Sequence, residues 1–105
     1  MLKWVRRRYL ALRFEPCGLS SYEFMDLVWG AVLRLFGEVG ASVVGLSLVE
    51  FDGEGGFAVL RVGHTGLEMV RAALASVTHV GDKPLAVHVL RVSGTLKSLR
   101  EKTGR

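Results

Sequence analysis

Residues 43–62, VVGLSLVEFDGEGGFAVLRV, decide the fold. Val43–Phe51 and Phe57–Val62 are rich in β-branched and aromatic residues, as strands are. Between them Asp52-Gly53-Glu54-Gly55-Gly56 has the acid and glycine chemistry of a hairpin turn. Upstream, Leu10, Leu12 and Phe14 alternate with Tyr9, Ala11 and Arg13, which predicts a strand over Arg7–Phe14. Glu15-Pro16-Cys17-Gly18 breaks it. Ser20 and Glu23 then stand at capping-box spacing, with Ser21 an alternative cap. The helix they open is predicted from Tyr22 to about Val39, where Met25, Val28, Trp29, Val32, Leu35, Phe36 and Val39 recur at helical spacing, and Gly37 and Gly40 supply a stop.

Downstream, Thr65 and Glu68 suggest a second capping box and a shorter helix to about Val77, with Val70, Ala73, Leu74 and Val77 as its buried stripe. After Gly81-Asp82-Lys83-Pro84 a fourth strand spans Leu85–Val92. Ser93-Gly94-Thr95 leads into a basic helix, Leu96–Lys102. The order βαββαβ predicts an α+β fold, ferredoxin-like or RRM-like: an antiparallel four-stranded sheet in the order 4-1-3-2, plus a short C-terminal helix. Residues 1–105 form one domain in this reading. The last two strands carry apolar residues on both faces, so the second face needs a cover. Leu96 and Leu99, or a partner protein, could supply it.

That topology gives the charge its meaning. The net charge is only +4. Residues 1–14 nevertheless hold five basic side chains (Lys3, Arg6, Arg7, Arg8, Arg13) and no acid, and residues 91–105 hold five more (Arg91, Lys97, Arg100, Lys102, Arg105) against Glu101 alone. The intervening stretch is acidic. First and last strands are antiparallel neighbours in this order, so both basic ends meet at one corner. A corner of that kind neutralises phosphates and releases counterions, which points to nucleic acid. Ser93-Gly94-Thr95 at a helix start is either a plain cap or a phosphate-binding N-terminus with Lys97 close by.

Other chemistries find less support. His64, His79 and His88 lack metal-ligand spacing, and Cys17, the only cysteine, has no basic or histidine neighbour in sequence. A single cysteine excludes an internal disulfide and fits a cytoplasmic location. No apolar stretch reaches membrane-spanning length, and no signal peptide is read, so no membrane partner is expected. The sequence has no Asn, Gln or Ile, which fits a thermophile or a GC-rich genome. An acylphosphatase of this topology would need an Asn to position its water and is thereby excluded. Residues 56–62 begin like the base-stacking strand of an RNA-recognition domain, but Val59 and Val62 stand where aromatics belong.

The segment Trp29–Gly40, WGAVLRLFGEVG, resembles the first-helix signature of archaeal ribonuclease P protein component 2, the Pop-five family. Arg8-Tyr9-Leu10, Val77-Thr78-His79-Val80 and Val92-Ser93-Gly94-Thr95-Leu96-Lys97 fall in that family's order and near its spacing, from about Arg7 to Arg100. The chain departs at Gly30, where a larger polar residue is common, and in its short tails. The resemblance implies a subunit of the endoribonuclease that removes the 5′ leader from precursor tRNA. It also implies that the RNA subunit holds the magnesium ions and performs the hydrolysis. The protein itself would be non-catalytic and hold no cofactor or metal. Implied partners are the ribonuclease P RNA, precursor tRNA through the complex, and component 3, the Rpp-thirty homologue, with a homodimer or heterotetramer as the assembly.

The residues expected to contact RNA are Arg6, Arg7, Arg8, Lys97, Arg100 and Lys102, supported by Ser93 and Thr95. At helical spacing Trp29 suits the core, while Arg34 faces either a partner or solvent. The rival reading is a ferredoxin-like scaffold or dimerisation module that does not bind RNA. Elution from heparin at low salt would favour that rival.

Overall fold

The computed structural model describes residues 7–80 and 82–103. Strand β1 (Arg7–Glu15) turns Leu10, Leu12 and Phe14 to one side, where none is more than 1% exposed. Each such buried side chain contributes about 1.5–3 kcal/mol by leaving water. Helix α1 (Ser21–Val43) lies over them and starts with the capping box read from sequence. Ser20 Oγ accepts from the Glu23 N–H, and the Ser20 N–H donates to Glu23 Oε1, both at 3.1 Å. Phe24, Val28, Ala31 and Val32 form its buried stripe.

The helix does not stop at Val39. Gly37 adopts φ 72° and ψ −176°, a left-handed conformation that interrupts the helix, and helical structure resumes through Val43. Val43 and Val44 therefore belong to the helix end, and strand β2 (Ser47–Asp52) begins later than the β-branched run suggested. The turn to β3 (Phe57–Gly63) is a hairpin, with the Gly55 N–H bonded to Asp52 Oδ1 at 2.9 Å.

The second capping box does not form. His64–Gly66 makes a 3₁₀ turn, and α2 (Leu67–Ser76) begins beyond Gly66 with no side-chain cap. Gly66 is buried and pressed onto the end of α1: a Cβ there would lie 2.6 Å from Val44 Cα and 3.0 Å from Val44 Cβ. Backbone at that distance cannot yield without moving the loop. Gly66→Ala is expected to cost about 1–3 kcal/mol, lowering Tm by roughly 4–8 °C for each kcal/mol. Unchanged thermal melting would show that the two segments separate freely.

A small hairpin, β4 (His79–Val80) with β5 (Lys83–Pro84), stands where the sequence suggested only a turn. Strand β6 (Ala86–Ser93) and helix α3 (Leu96–Thr103) complete the chain. The main sheet runs β2-β3-β1-β6 with every pair antiparallel. This is the expected order, with β6 as the fourth strand. Helices α1 and α2 pack on the face bearing Leu10, Leu12, Leu60 and Val62. On the outer face α3 covers Ala11, Phe57 and Val59, anchored by Leu99 at 1% exposure. The chain's own terminal helix thus supplies the cover over this part of the sheet.

A bulge breaks strict period-two alternation in β6. Ala11 pairs with Arg91 but Leu12 pairs with Val89, so Leu90 is inserted between them. An inserted residue flips the side-chain phase. Val92 therefore joins Val87 and Val89 against the main core instead of sharing the face of Ala86 and Leu90.

Candidate nucleic-acid interface

The β1–β6 pairing sets the site. Tyr9 lies opposite Ser93, so the start of β1 and the end of β6 share one end of the sheet. Arg7 and Arg8 follow the strand's alternation and leave opposite faces. Arg7 is exposed opposite Gly63, on the outer face with Tyr9. Arg8 is half-buried; its Nη1 donates to the Arg7 carbonyl at 3.1 Å. A Cβ added to Gly94 would stand 3.6 Å from that same Nη1. The Arg8 guanidinium thus sits against the turn that leads into α3.

The Ser93-Gly94-Thr95 turn is built by its own hydroxyls. Ser93 is 8% exposed, and its Oγ accepts from the Thr95 N–H at 3.4 Å. Thr95 is exposed and acts as the helix cap: its Oγ1 accepts from the Ser98 N–H at 3.2 Å. The first turn of α3 contains no acid, and Lys97 projects there in an exposed position. The positive end of the helix dipole and the Arg8 guanidinium meet at this turn, and Lys97 adds a positive charge to the same helix turn, an arrangement suited to an anion. The structure therefore puts Arg8 against the Ser93-Gly94-Thr95 turn, with Lys97 on the first turn of the helix that follows, while Arg7 leaves the other face at the same end of the sheet. Arg6 lies outside the described residues. Arg100 and Lys102 fall on α3, with side chains outside the described set.

Three further basic side chains share the outer face. Arg61 lies opposite Tyr9, Arg91 opposite Ala11, and Arg13 opposite Phe57 on one side and His88 on the other. The period-two alternation in β1 already pointed Arg13 away from the core. Placing Arg91 needed the bulge. The strand that could have stacked bases is closed off: Phe57 and Val59 are buried under α3.

The histidines and the cysteine form no site with one another. His64, His79 and His88 are exposed, and among the described residues no three His, Cys, Asp or Glu side chains are placed to hold a metal ion. Cys17 is a free, exposed thiol. Trp29 is half-buried and packs against the main core. Arg34 is exposed and donates to Ser76 Oγ at 3.0 Å, on the rim of a cleft with Thr78 and His79. Among the described residues, no helix is long and apolar enough to cross a membrane.

Comparison with known proteins agrees with this architecture. "Ribonuclease P protein component 2" of Halorubrum lacusprofundi is 33% identical over 102 residues, an alignment covering 92% of this chain and 64% of that protein. The protein of the same name from Pyrococcus horikoshii is 32% identical over 98 residues, covering 92% and 82%. That from Methanosarcina mazei is 33% identical over 100 residues, covering 92% and 83%. The chain thus spans just under two thirds of the Halorubrum protein's length. Its fold is similar to that of a chain in the cryo-EM structure of yeast ribonuclease MRP, with a TM-score of 0.73 at 16% identity, covering 99% of this chain and 95% of that one. Residues 8–103 match the Rpp14/Pop5 family, and the chain belongs to that family.

Proposed function

We propose that this chain is a protein subunit of ribonuclease P that supports the catalytic RNA by binding its phosphate backbone. The observation that carries the reading is the antiparallel β1–β6 register, which sets Tyr9 opposite Ser93 and so puts the basic start of β1 at the same end of the sheet as the capped start of α3. Family membership supports it, as does the shared name of the relatives. The reaction is removal of the 5′ leader from precursor tRNA in the cytoplasm, with hydrolysis and magnesium ions held by the RNA. This chain lowers the repulsion between phosphates, so the RNA folds and keeps its metal ions at a lower magnesium concentration.

Partners in this reading are the RNA, precursor tRNA through the complex, and component 3, the Rpp-thirty homologue, in an assembly built on a homodimer or heterotetramer. Protein contact has its own support in the second half of α1, where Leu33, Leu35, Phe36 and Val39 are exposed, Val39 at 82%. Large exposed apolar groups in one stretch mark protein interfaces. The same observation favours the second reading, a scaffold without RNA contact.

Reconstitution separates the two. RNA subunit, component 3 and this chain are combined and assayed for precursor-tRNA cleavage at low magnesium. The expected result is loss of cleavage when this chain is omitted, with recovery at high magnesium. Cleavage that is indifferent to the chain at every magnesium level, together with elution from heparin at low salt, would leave the scaffold reading standing.

A further inference from the structure

The outer face of the sheet is covered unevenly. Through Leu96 and Leu99, α3 lies over Ala11, Phe57 and Val59. Toward β6, Ala86, His88, Leu90 and Arg91 stay exposed, and Arg13 is exposed beside them on β1. Arg13 faces His88 directly, while Ala11 faces Arg91. Arg13 and Arg91 are therefore diagonal neighbours on adjacent strands, roughly 7–8 Å apart at Cα by general strand geometry. The bulge at Leu90 brings Arg91 onto this face; without the extra residue Arg91 would point toward the helices.

Among the described residues no acid stands directly opposite Arg13 or Arg91 in the strand register; the one acid beside them on β1, Glu15, follows Arg13 on the same face, opposite Ala86, and balances one of the two guanidinium charges at most. Two guanidinium groups beside an imidazole, with no acid across from them, are poorly matched to the isolated subunit. They are well matched to phosphate, which a planar guanidinium grips through two parallel hydrogen bonds. The patch also continues into the proposed RNA site. Arg91 is two residues from Ser93 on the same strand, and Arg7 leaves the same face of β1. A protein partner would need a central aromatic or aliphatic anchor, and here only Leu90 could serve.

From this we infer that the RNA path runs on from the corner across the open β1–β6 half of the outer face, with Arg13 and Arg91 holding phosphate oxygens along the flank of α3. This rests on the proposed RNA-binding role and extends it to residues on the sheet itself. Bound backbone enters at Arg7, Arg8 and Lys97 and leaves past Arg91 and Arg13, beside His88.

The test uses the full chain and two probes of general sequence, a 16-bp RNA duplex and a 12-nucleotide oligouridylate, each titrated between 50 and 300 mM salt. The double variant Arg13→Ala/Arg91→Ala is expected to flatten the dependence of log K on log salt by about 1.8 for the duplex and about 1.4 for the single strand. Affinity near 0.1 M salt should fall on the order of 60-fold for the duplex, which is that slope change extrapolated from 1 M. Arg13→Lys/Arg91→Lys should restore the slope without restoring all of the affinity, because the paired hydrogen bonds are lost. A double Ala variant that keeps the wild-type slope overturns the path while leaving the corner intact. So does a variant that keeps RNA binding but loses component 3, since the patch then holds an acidic protein surface. Failure of the unmodified chain to bind either RNA removes the corner and the path together.

Discussion

Phe14→Ala is expected to lower the stability of the chain by about 3–5 kcal/mol, the usual cost of emptying a buried aromatic site. Phe14 is 1% exposed at the end of β1. Its ring lies 5.1 Å from that of Phe24 on α1 and 5.6 Å from that of Phe51 on β2, and Phe24 and Phe51 are themselves 5.7 Å apart. Side chains from three elements meet in this one cluster. Its N–H also bonds the Gly56 carbonyl at 2.8 Å, tying the strand end to the hairpin turn. Small domains have only about 5–15 kcal/mol in total, so the variant should be largely unfolded at temperatures the parent survives. With a urea slope of about 1–3 kcal/mol/M, the midpoint should fall by roughly 2 M. A fall worth less than about 1 kcal/mol would mean that the cluster closes over the gap and does not pin β1 to α1.

That cluster was legible only in part. Phe14 was placed by alternation in its strand, and Phe51 only as the end of the strand before the hairpin turn. Phe24 was left out of the predicted helical stripe because the spacing was counted from Met25, yet it proves the more buried of the two. The capping box at Ser20 and Glu23 formed as read, whereas Thr65 and Glu68 made the same pattern and no cap. The difference is tertiary. Gly66 must pass against Val44, and a 3₁₀ turn meets that close approach at the expense of the side-chain cap. Capping signals register local preference, and local preference yields where two backbones meet.

The candidate site shows the same division. Topology was readable from the element order, and it alone brought the two basic ends together. What the sequence could not show was phase. One inserted residue at Leu90 decides that Val92 faces the core and Arg91 the solvent, and a period-two reading assumes no insertion. Similarly, Val49 is extra between Leu48 and Glu50 in β2, and it reaches the α3 side of the sheet. Bulges carry little residue signature, so the face that Arg91 takes became visible only through the pairing.

Changing Arg7, Arg8, Lys97 and Arg100 together to Ala is expected to have the largest effect on RNA binding. Each phosphate contact contributes about 0.9 to the slope of log K against log salt on B-form duplex DNA, the scale expected of an RNA duplex as well. Four lost contacts should flatten that slope by about 3–4 and weaken binding near 0.1 M salt on the order of 10³-fold, if counterion release supplies the whole contact energy. Stability should change little by comparison. Arg7 and Lys97 are exposed, and surface substitutions away from core or cap usually stay within about 0.5 kcal/mol. The comparison with Thr95→Ala divides charge from geometry. Loss of the cap should cost about 1 kcal/mol of α3 stability and leave the salt slope near its wild-type value, because no charge is removed. If the fourfold variant instead keeps its slope, the ends of the chain are ordinary solvated termini. Guanidinium groups that do not change the counterion balance are not touching phosphate, however closely the fold brings them together.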